Sequence, residues 1–250
     1  MAMVVKSAAR AMEILNHFHS VRIPQSQKQL CQALHYPQSS ATNLLRTLTS
    51  MGYLNYDQYH RVYFPTVKLA AFGEWIPSAL FGQGLILNML RELHTATKET
   101  VVVAIRNDID VQYLAVIESS HSIRFHVEVG DMRPVTRSVI GWVLMSQIDE
   151  KAASTLLRRS NIANRRAASA NIDSTLEQIR LATAQGYAYG ENIPILGGAS
   201  LAILLPLQVH GQAAALCCEG ALERMRQNRA TYFAAMQRIV ASVEYRKSRL

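Results

Sequence analysis

Short polar side chains and one arginine recur close together between positions 38 and 46. They are Gln38, Ser39, Ser40, Thr42, Asn43 and Arg46. Small side chains allow a close approach to the edges of DNA bases, and amide or guanidinium groups can form paired hydrogen bonds with those edges. On one face of a helix, such residues could read the major groove of DNA. The alternative is an ordinary helical hairpin with a solvated polar face.

The same segment carries a second, apolar face. Leu44, Leu45 and Leu48 recur at helical spacing, and Gly52 is suited to end the helix. The serines near the start of this helix are expected to cap its free backbone donors. The pattern predicts a helix with one face turned to a core and the other turned outward.

A shorter helix precedes it. Ser26 is a candidate N-cap, and the helix ends before Pro37 because proline disfavours helical geometry in the preceding residue. We expect Ile23 to form a short strand ahead of the pair, and residues 6–18 to form an amphipathic first helix. Together these segments predict a helix-turn-helix.

A β-hairpin is predicted directly after this pair of helices. Alternating, aromatic-rich runs at 53–56 and 61–64 flank a polar turn at 57–60. A hairpin in this place is the wing of a winged helix-turn-helix, and His60 and Arg61 at its tip could reach an adjacent groove or phosphates. The sequence therefore favours binding to double-stranded DNA.

The composition agrees with a folded chain of two domains. Its 250 residues are 49% hydrophobic and 18% charged, and the net charge of +8 with a pI near 9.6 suits a polyanionic partner. No apolar run approaches the roughly 20 residues of a membrane span. The N-terminus lacks the apolar segment of a signal peptide, so we expect a cytoplasmic protein without a membrane partner.

The cysteines and histidines do not form a site of known spacing. Cys31, Cys217 and Cys218 lack metal-ligand or disulfide spacing, so we interpret them as reduced thiols, and a redox-sensing thiol stays open. No nucleophile elbow, phosphate-binding glycine loop or metal-spaced cluster is evident. We therefore predict no enzyme, no cofactor and no metal, with an enzyme as the rival class.

The second half of the chain alternates between strand and helix patterns. Strands are predicted at 101–105, 111–117, 123–129, 200–207 and 212–219. Helices are predicted at 136–146, 149–158, 173–185 and 228–250, and loops at 130–135 and around Arg158, Arg159, Arg165 and Arg166. The order predicts an α+β protein with a mainly antiparallel sheet.

We expect three regions: a winged helix-turn-helix domain at 1–65, linker helices at 66–98, and a mixed α/β domain with an antiparallel sheet at 99–250. Helices at 66–75 and 80–95 form the predicted linker. Their apolar surface exceeds what one domain needs, which suits dimer contacts. The alternative is that the second helix belongs to the core of the second domain.

The order of these parts resembles the IclR family of bacterial transcription regulators. In the first domain the resemblance rests on residues 6–11, 14–15, 37–45 and 48–54. In the second it rests on Gly130, Pro134, 138–142, 186–187 and 200–206. The resemblance implies a DNA-binding domain, a linker helix and a domain that binds a small effector. It also implies a homodimer, often paired into a tetramer, on an operator.

The recognition helix departs from the family pattern. The family usually has cations where Gln38 and Asn43 stand in this chain. Gln and Asn pair bidentately with adenine, whereas Arg and Lys favour guanine. We therefore expect an operator that is read through A·T pairs at these two positions.

The resemblance also implies effector contacts in a cavity between the sheet and the loops above it. The matching positions are Arg133, Val139, Ile140, Gly190, Glu191, Ser200, Cys217 and Glu219. A period of two places Cys217 and Glu219 on one face of a strand and Cys218 on the other. Departures at residues 141–143, Ser200, Cys217 and Glu219 imply a different metabolite from that of well-known members.

Arg133 beside such a cavity would suit a small organic acid through a forked, charge-assisted pair. The alternatives are that Arg133 pairs with Glu219, or that both lie in solvent. A buried, unpartnered Glu219 would be costly, so it needs Arg133, a ligand cation or a proton. A further alternative is a DNA-binding dimer in which the second domain only oligomerises. An enclosed, partly polar cavity in the second domain would favour effector binding over a domain that only oligomerises.

Overall fold

The computed structural model describes residues 5–76, 84–164, 169–209 and 211–247. The chain divides into two compact units, Met1–Ala79 and Leu80–Leu250. Each unit has its own hydrophobic core. The predictions for 165–166 and the start of the helix at 80–95 lie outside the described residues.

The first unit combines helices with a small sheet. Its elements are α1 (Lys6–Val21), β1 (Gln25–Ser26), α2 (Gln27–Leu34), α3 (Gln38–Ser50), β2 (Leu54–Asp57), β3 (Val62–Pro65) and α4 (Val67–Gly73). Its core is apolar and consists of Ile14, Phe18, Leu30, Leu45, Leu48 and Leu54. The predicted cap is confirmed, since the Ser26 hydroxyl accepts from the Gln29 amide in a capping box.

The predicted hairpin is also confirmed. β2 and β3 pair antiparallel, with Tyr56 opposite Tyr63, and β1 pairs with the other edge of β3. The strand ahead of α2 is Gln25–Ser26, so the prediction of a strand at Ile23 is wrong. Gln25 is 7% exposed whereas Ile23 is 56% exposed, so the buried polar residue, and not the apolar one, enters the sheet.

The start of α3 differs from the sequence prediction. The residue at the N-cap is Pro37, and it provides no side-chain hydrogen bond to the helix. The serines therefore do not cap the helix. Ser39 is exposed, and Ser40 contacts α1 instead.

The second unit is built on one sheet with helices on both faces. Its helices are α5 (Leu85–Thr97), α6 (Val139–Met145), α7 (Glu150–Ala163), α8 (Ile172–Gln185) and α9 (Leu222–Lys247), with a 3-10 turn at Val135–Arg137. Its strands are β4 (Thr100–Asn107), β5 (Asp110–Ile117), β6 (Met132–Pro134), β7 (Tyr187–Glu191), β8 (Gly198–Val209) and β9 (Gln212–Ala221). The sheet is antiparallel in the order β6-β5-β4-β9-β8-β7.

Alternation along the strands divides the core into two layers. Cys218 faces the layer formed with α5 and α9, and Cys217 faces the layer formed with α6, α7 and α8. The prediction that neighbouring cysteines point to opposite faces is thus confirmed. Ile86, Leu90 and Leu93 of α5 are buried in the first layer, so this helix contributes to the core of the second unit.

Four local predictions in this unit are wrong, and one strand was missed. Residues 123–129 form no strand, and the expected loop at 130–135 contains β6 and the 3-10 turn. The expected loop around Arg158 and Arg159 is helical, because Leu157 and Ser160 extend the buried face of α7 and the helix continues to Ala163. α9 begins at Leu222, ahead of the predicted residue 228, and β7 was not predicted. The segment 123–129 is held by side-chain contacts in place of strand pairing: Arg224 Nη2 donates to the Ile123 carbonyl, His126 pairs with Glu118, and Val127 is buried in the core.

Among the described helices, none is both long enough and apolar enough to cross a membrane.

Candidate functional site

One stripe of α3 faces outward from the first unit. Ser39, Asn43 and Arg46 recur at spacings of four and three residues and are all exposed, as is Gln38 at the start of the helix. On the opposite face, Leu45 is buried in the core of the first unit. The stripe therefore presents a hydroxyl, an amide and a guanidinium together on one helix face.

The predicted residues Ser40 and Thr42 lie beside this stripe and are engaged within the protein. The Ser40 hydroxyl accepts a hydrogen bond from Arg10 Nη1 at 2.9 Å. Gln27 Nε2 donates to Thr42 Oγ1 at 2.7 Å, and Thr42 donates to the Gln38 carbonyl at 2.8 Å. These two side chains fix α3 against α1 and α2, which sequence spacing did not reveal.

The wing tip is ordered by an acidic side chain. Asp57 accepts hydrogen bonds from the backbone amides of Tyr59 and His60, and His60 Nδ1 lies 2.7 Å from Asp57 Oδ2. The hydrogen bond from His60 lowers the pKa of Asp57 below its usual value. Arg61 adopts a left-handed backbone with φ of 54°. The turn therefore holds His60 and Arg61 in fixed positions on an exposed tip.

A broad cleft of about 810 Å³ lies between α2, the start of α3 and the wing. Its lining includes Lys28, Gln32, Gln38, Tyr56, Arg61 and Tyr63. Lys28 and Gln32 on α2 and the tyrosines of the wing were not among the predicted residues. Their signal in the sequence is weak, because polar residues on a short helix and tyrosines on a hairpin are common.

In the second unit, the predicted effector positions divide between two places. Arg133, Ser200 and Glu219 surround a cavity of about 10 Å³, together with Tyr113 and Phe125. That volume is about the minimum that one water molecule needs. Two other predicted positions, Gly190 and Glu191, border a separate cleft of about 520 Å³. Val139 and Ile140 are buried in the core.

Glu219 is buried and its carboxylate is bonded within the protein. The Tyr113 hydroxyl donates to Glu219 Oε1 at 3.2 Å, and the Cys217 thiol lies 3.6 Å from the same oxygen. Burial raises the pKa of Glu219, of Tyr113 and of the Cys217 thiol above their usual values. Burial therefore favours the neutral forms of these three side chains.

Arg133 pairs with Asp131, with 3.3 Å between Nη2 and Oδ2, and not with Glu219. Its positive charge nevertheless lowers the pKa of Glu219, against the larger effect of burial. Both arginine and aspartate are about one third exposed. The direct Arg133–Glu219 pair that the sequence left open is therefore not formed, and Glu219 accepts hydrogen bonds from the Tyr113 hydroxyl and the Cys217 thiol.

Phe125 closes the small cavity. A methyl group at Gly198 would lie 2.8 Å from its ring, so the ring rests on the bare backbone of β8. Ile193, Pro194 and Ile195 line the same cavity from the loop after β7. Sequence reasoning missed Phe125 because it placed residues 123–129 in a strand.

The larger cleft lies along β7, the start of α8 and α6; we call it the β7 cleft. It is lined by Arg137, Trp142, Ser174, Gln178, Tyr189 and Glu191, among others. Glu191 accepts two hydrogen bonds from Arg226, at 2.6 and 2.9 Å, which lowers its pKa. A methyl group at Gly190 would lie 2.5 Å from Val139 Cγ2 and 3.1 Å from the Trp142 ring. Glycine is therefore required where these side chains press against β7.

Comparison with known proteins identifies the class of both units. Residues 7–58 match the IclR helix-turn-helix domain, and residues 85–243 match the C-terminal domain of bacterial transcriptional regulators of the IclR type. The chain belongs to the IclR family of bacterial transcriptional regulators, with a DNA-binding helix-turn-helix and a C-terminal effector-binding domain.

Named relatives share moderate identity with the chain. It is 28% identical over 165 residues to the HTH-type transcriptional regulator KdgR of Dickeya chrysanthemi, covering 64% of this chain and 52% of that protein. The match therefore spans about half the length of this relative. It is 22% identical over 247 residues to the transcriptional repressor IclR of Escherichia coli K12, covering 93% of this chain and 86% of that protein.

Solved structures agree in fold. The effector domain of a regulator from Acinetobacter sp. ADP1 is 39% identical, with a TM-score of 0.62, covering 67% of this chain and 98% of that chain. A regulator from Rhodococcus sp. RHA1 is 18% identical, with a TM-score of 0.75, covering 97% of this chain and 98% of that chain. The second likeness shows the fold alone.

Proposed function

We propose that this protein binds a specific DNA operator in the cytoplasm through α3 and its wing, and that a small organic acid bound by the second unit changes that binding. The observation that supports the DNA site most strongly is the exposed stripe of Ser39, Asn43 and Arg46. Side chains on such a helix face suit base edges, whereas Arg61 and His60 on the wing suit phosphates or a neighbouring groove.

We propose different roles for the eight DNA-binding residues predicted from the sequence, supported by their exposure and hydrogen bonds. Gln38, Asn43 and Arg46 are free to read bases, and Ser39 is small enough to allow their approach. Ser40 and Thr42 position the helix, because their hydroxyls bond Arg10 and Gln27. The remaining two, His60 and Arg61, contact the DNA backbone from the wing.

We further propose a homodimer as the form that binds DNA. Two copies of α3 must be about 34 Å apart to enter successive major grooves, so a single unit cannot read a full operator. α4 exposes Val67 and Phe72, which are 88% and 68% accessible, and such apolar side chains are suited to contact a second copy. An effector that favours one arrangement of the dimer would shift the spacing of the helices.

The test is a binding assay at fixed salt with DNA from beside the gene of this protein. The assay is run with and without a panel of small organic acids. Specific binding that one acid alters would support the whole proposal. Specific binding that no acid alters would favour a dimer without a small effector, and binding without sequence preference would refute the regulatory role.

A further inference from the structure

The β7 cleft differs from the cavity at Glu219 above all in size. Its volume of about 520 Å³ lies within the roughly 300–1,000 Å³ of typical small-molecule sites. The cavity at Glu219 measures about 10 Å³ and is closed by Phe125. The cleft therefore has the volume for an organic molecule of several carbons, whereas the small cavity has about the volume of one water molecule.

Neutral polar side chains of α8 line one side of the cleft. Ser174 and Gln178 are one helical turn apart, and Asn171 caps the same helix. Asn192 lies across the cleft at the end of β7, where its Oδ1 accepts from the Gly197 amide and leaves its NH₂ group to donate elsewhere. Hydroxyl and amide groups that converge in this way suit a ligand with several hydroxyls.

The charge of the cleft favours an anion. Arg137 is exposed at its edge, and it pairs with no carboxylate in the described part of the chain. The carboxylate of Glu191 is already neutralised by Arg226 and accepts from the Tyr189 hydroxyl at 3.1 Å. Within the described residues that line the cleft, Arg137 is therefore the cation that lacks a carboxylate partner, and its guanidinium suits a carboxylate ligand.

Trp142 supplies a second observation. The side chain is only 5% exposed and borders the cleft, yet its Nε1 donor has no hydrogen-bond partner within the described residues. Buried donors are nearly always satisfied, so an unpaired indole beside a cleft is uncommon. Gly190 allows the ring to lie against β7, which offers a flat apolar wall to the carbon skeleton of a ligand.

We propose that the β7 cleft is a binding site for a polyhydroxylated carboxylate. Arg137 binds the carboxylate, Ser174 and Gln178 bind hydroxyls, and Trp142 packs beside the carbon chain. The inference rests on the proposed function in one respect, since this ligand would be the effector. It places that effector at Arg137 and not at Arg133.

Trp142 makes the site observable. The chain has two tryptophans, Trp75 and Trp142, so the full-length Trp75→Phe variant reports on Trp142 alone. The probes are D-gluconate and D-galacturonate, with D-glucose as the uncharged control and hexanoate as the control without hydroxyls. We expect a saturable fluorescence change with at least one hydroxylated acid and none with either control. If the variant does not fold, equilibrium dialysis of radiolabelled D-gluconate and D-galacturonate with the wild-type chain measures the same binding.

Two matched arginine variants locate the site. Arg137→Gln should weaken binding of the acid about tenfold or more, because a charge-assisted hydrogen bond is lost. Arg133→Gln, at the small cavity, should leave the affinity within about twofold. The proposal is overturned if neither acid binds, if Arg137→Gln leaves the affinity unchanged, or if only Arg133→Gln weakens it.

A parallel operator-binding assay on the same protein distinguishes failure of the proposed function from failure of the cleft assignment. Loss of sequence-specific DNA binding with intact acid binding would refute the proposed function and keep the cleft assignment. Specific DNA binding without acid binding would refute the cleft assignment alone.

Discussion

Glu99 and Arg224 form a two-point ion pair in the second unit. The carboxylate of Glu99 is fully buried, and Arg224 Nε and Nη2 donate to its oxygens at 2.6 and 2.9 Å. Arg224 Nη2 also donates to the Ile123 carbonyl at 3.0 Å. One guanidinium on α9 thus holds both the residue ahead of β4 and the segment that carries Phe125. The pair therefore links the start of β4 to the segment that carries Phe125.

Replacing Arg224 by alanine should destabilise the second unit strongly. Removal of one partner from a buried pair typically costs about 3–5 kcal/mol, because the other charge remains buried. Urea unfolding followed by circular dichroism measures the change. Arg180→Ala is the matched control, since Arg180 makes a similar forked pair with Glu150 in solvent. Equal losses in the two variants would contradict the role assigned to burial.

Asn43 should set the base preference of the operator at one position. We expect Asn43→Ala to lose about 1–3 kcal/mol of discrimination for adenine, and Asn43→Arg to shift the selected base towards guanine. Selection of binding sites from random DNA with each variant measures both effects. Ser50→Ala, at the far end of α3, is the control. Invariant guanine opposite wild-type Asn43 would show that the assignment is wrong.

Arg61 should act on phosphates and not on bases. Arg61→Ala is expected to weaken binding to all sequences about equally and to reduce the salt slope of log K by about one, because one phosphate contact is lost. Titrations of specific and random DNA across several salt concentrations test this. A change confined to specific DNA would instead make Arg61 a base-reading residue.

Much of the fold could be predicted from the sequence because its signals are local. The capping box at Ser26, the hairpin of β2 and β3 and the opposite faces of Cys217 and Cys218 follow from residue types and periodicity. Apolar and polar residues alternate along 123–129 as they do in a strand, but this alternation does not show whether a neighbouring strand is available to pair with it. β6 pairs with β5 at Gln112 and its neighbours instead.

The candidate sites were harder to predict because they depend on which side chains meet. Ser40 and Thr42 were predicted from residue type and spacing, which do not reveal their hydrogen bonds to Arg10 and Gln27. The effector positions divide because Phe125 fills the space beside Glu219. No pattern in the sequence reports that a side chain from an irregular segment closes a cavity.

Glu219 should make the stability of the second unit fall as pH rises. Burial raises its pKa above the usual 4.5, so the folded state holds a proton that the unfolded state has released. Its stabilising contribution is complete below pH 4.5 and is lost as pH rises through the raised pKa, with a slope of at most about 1.4 kcal/mol per pH unit. Glu219→Gln removes this dependence, because glutamine cannot ionise and can still accept from Tyr113.

Glu191→Gln is the matched variant, because the stability contribution of Glu191 depends on pH in the opposite direction. The hydrogen bonds from Arg226 lower the pKa of Glu191, so its contribution is present above the usual carboxyl pKa and is lost as pH falls. Unfolding in urea, followed by Trp142 fluorescence in the Trp75→Phe background, gives the stability of each variant from pH 3 to pH 8. The effect of Glu191→Gln should change with pH only below about pH 4.5, and that of Glu219→Gln only above it. The difference between wild type and Glu219→Gln should change steadily with pH in favour of the variant. A pH-independent difference would mean that Glu219 does not titrate in this range and that its burial does not set its protonation state.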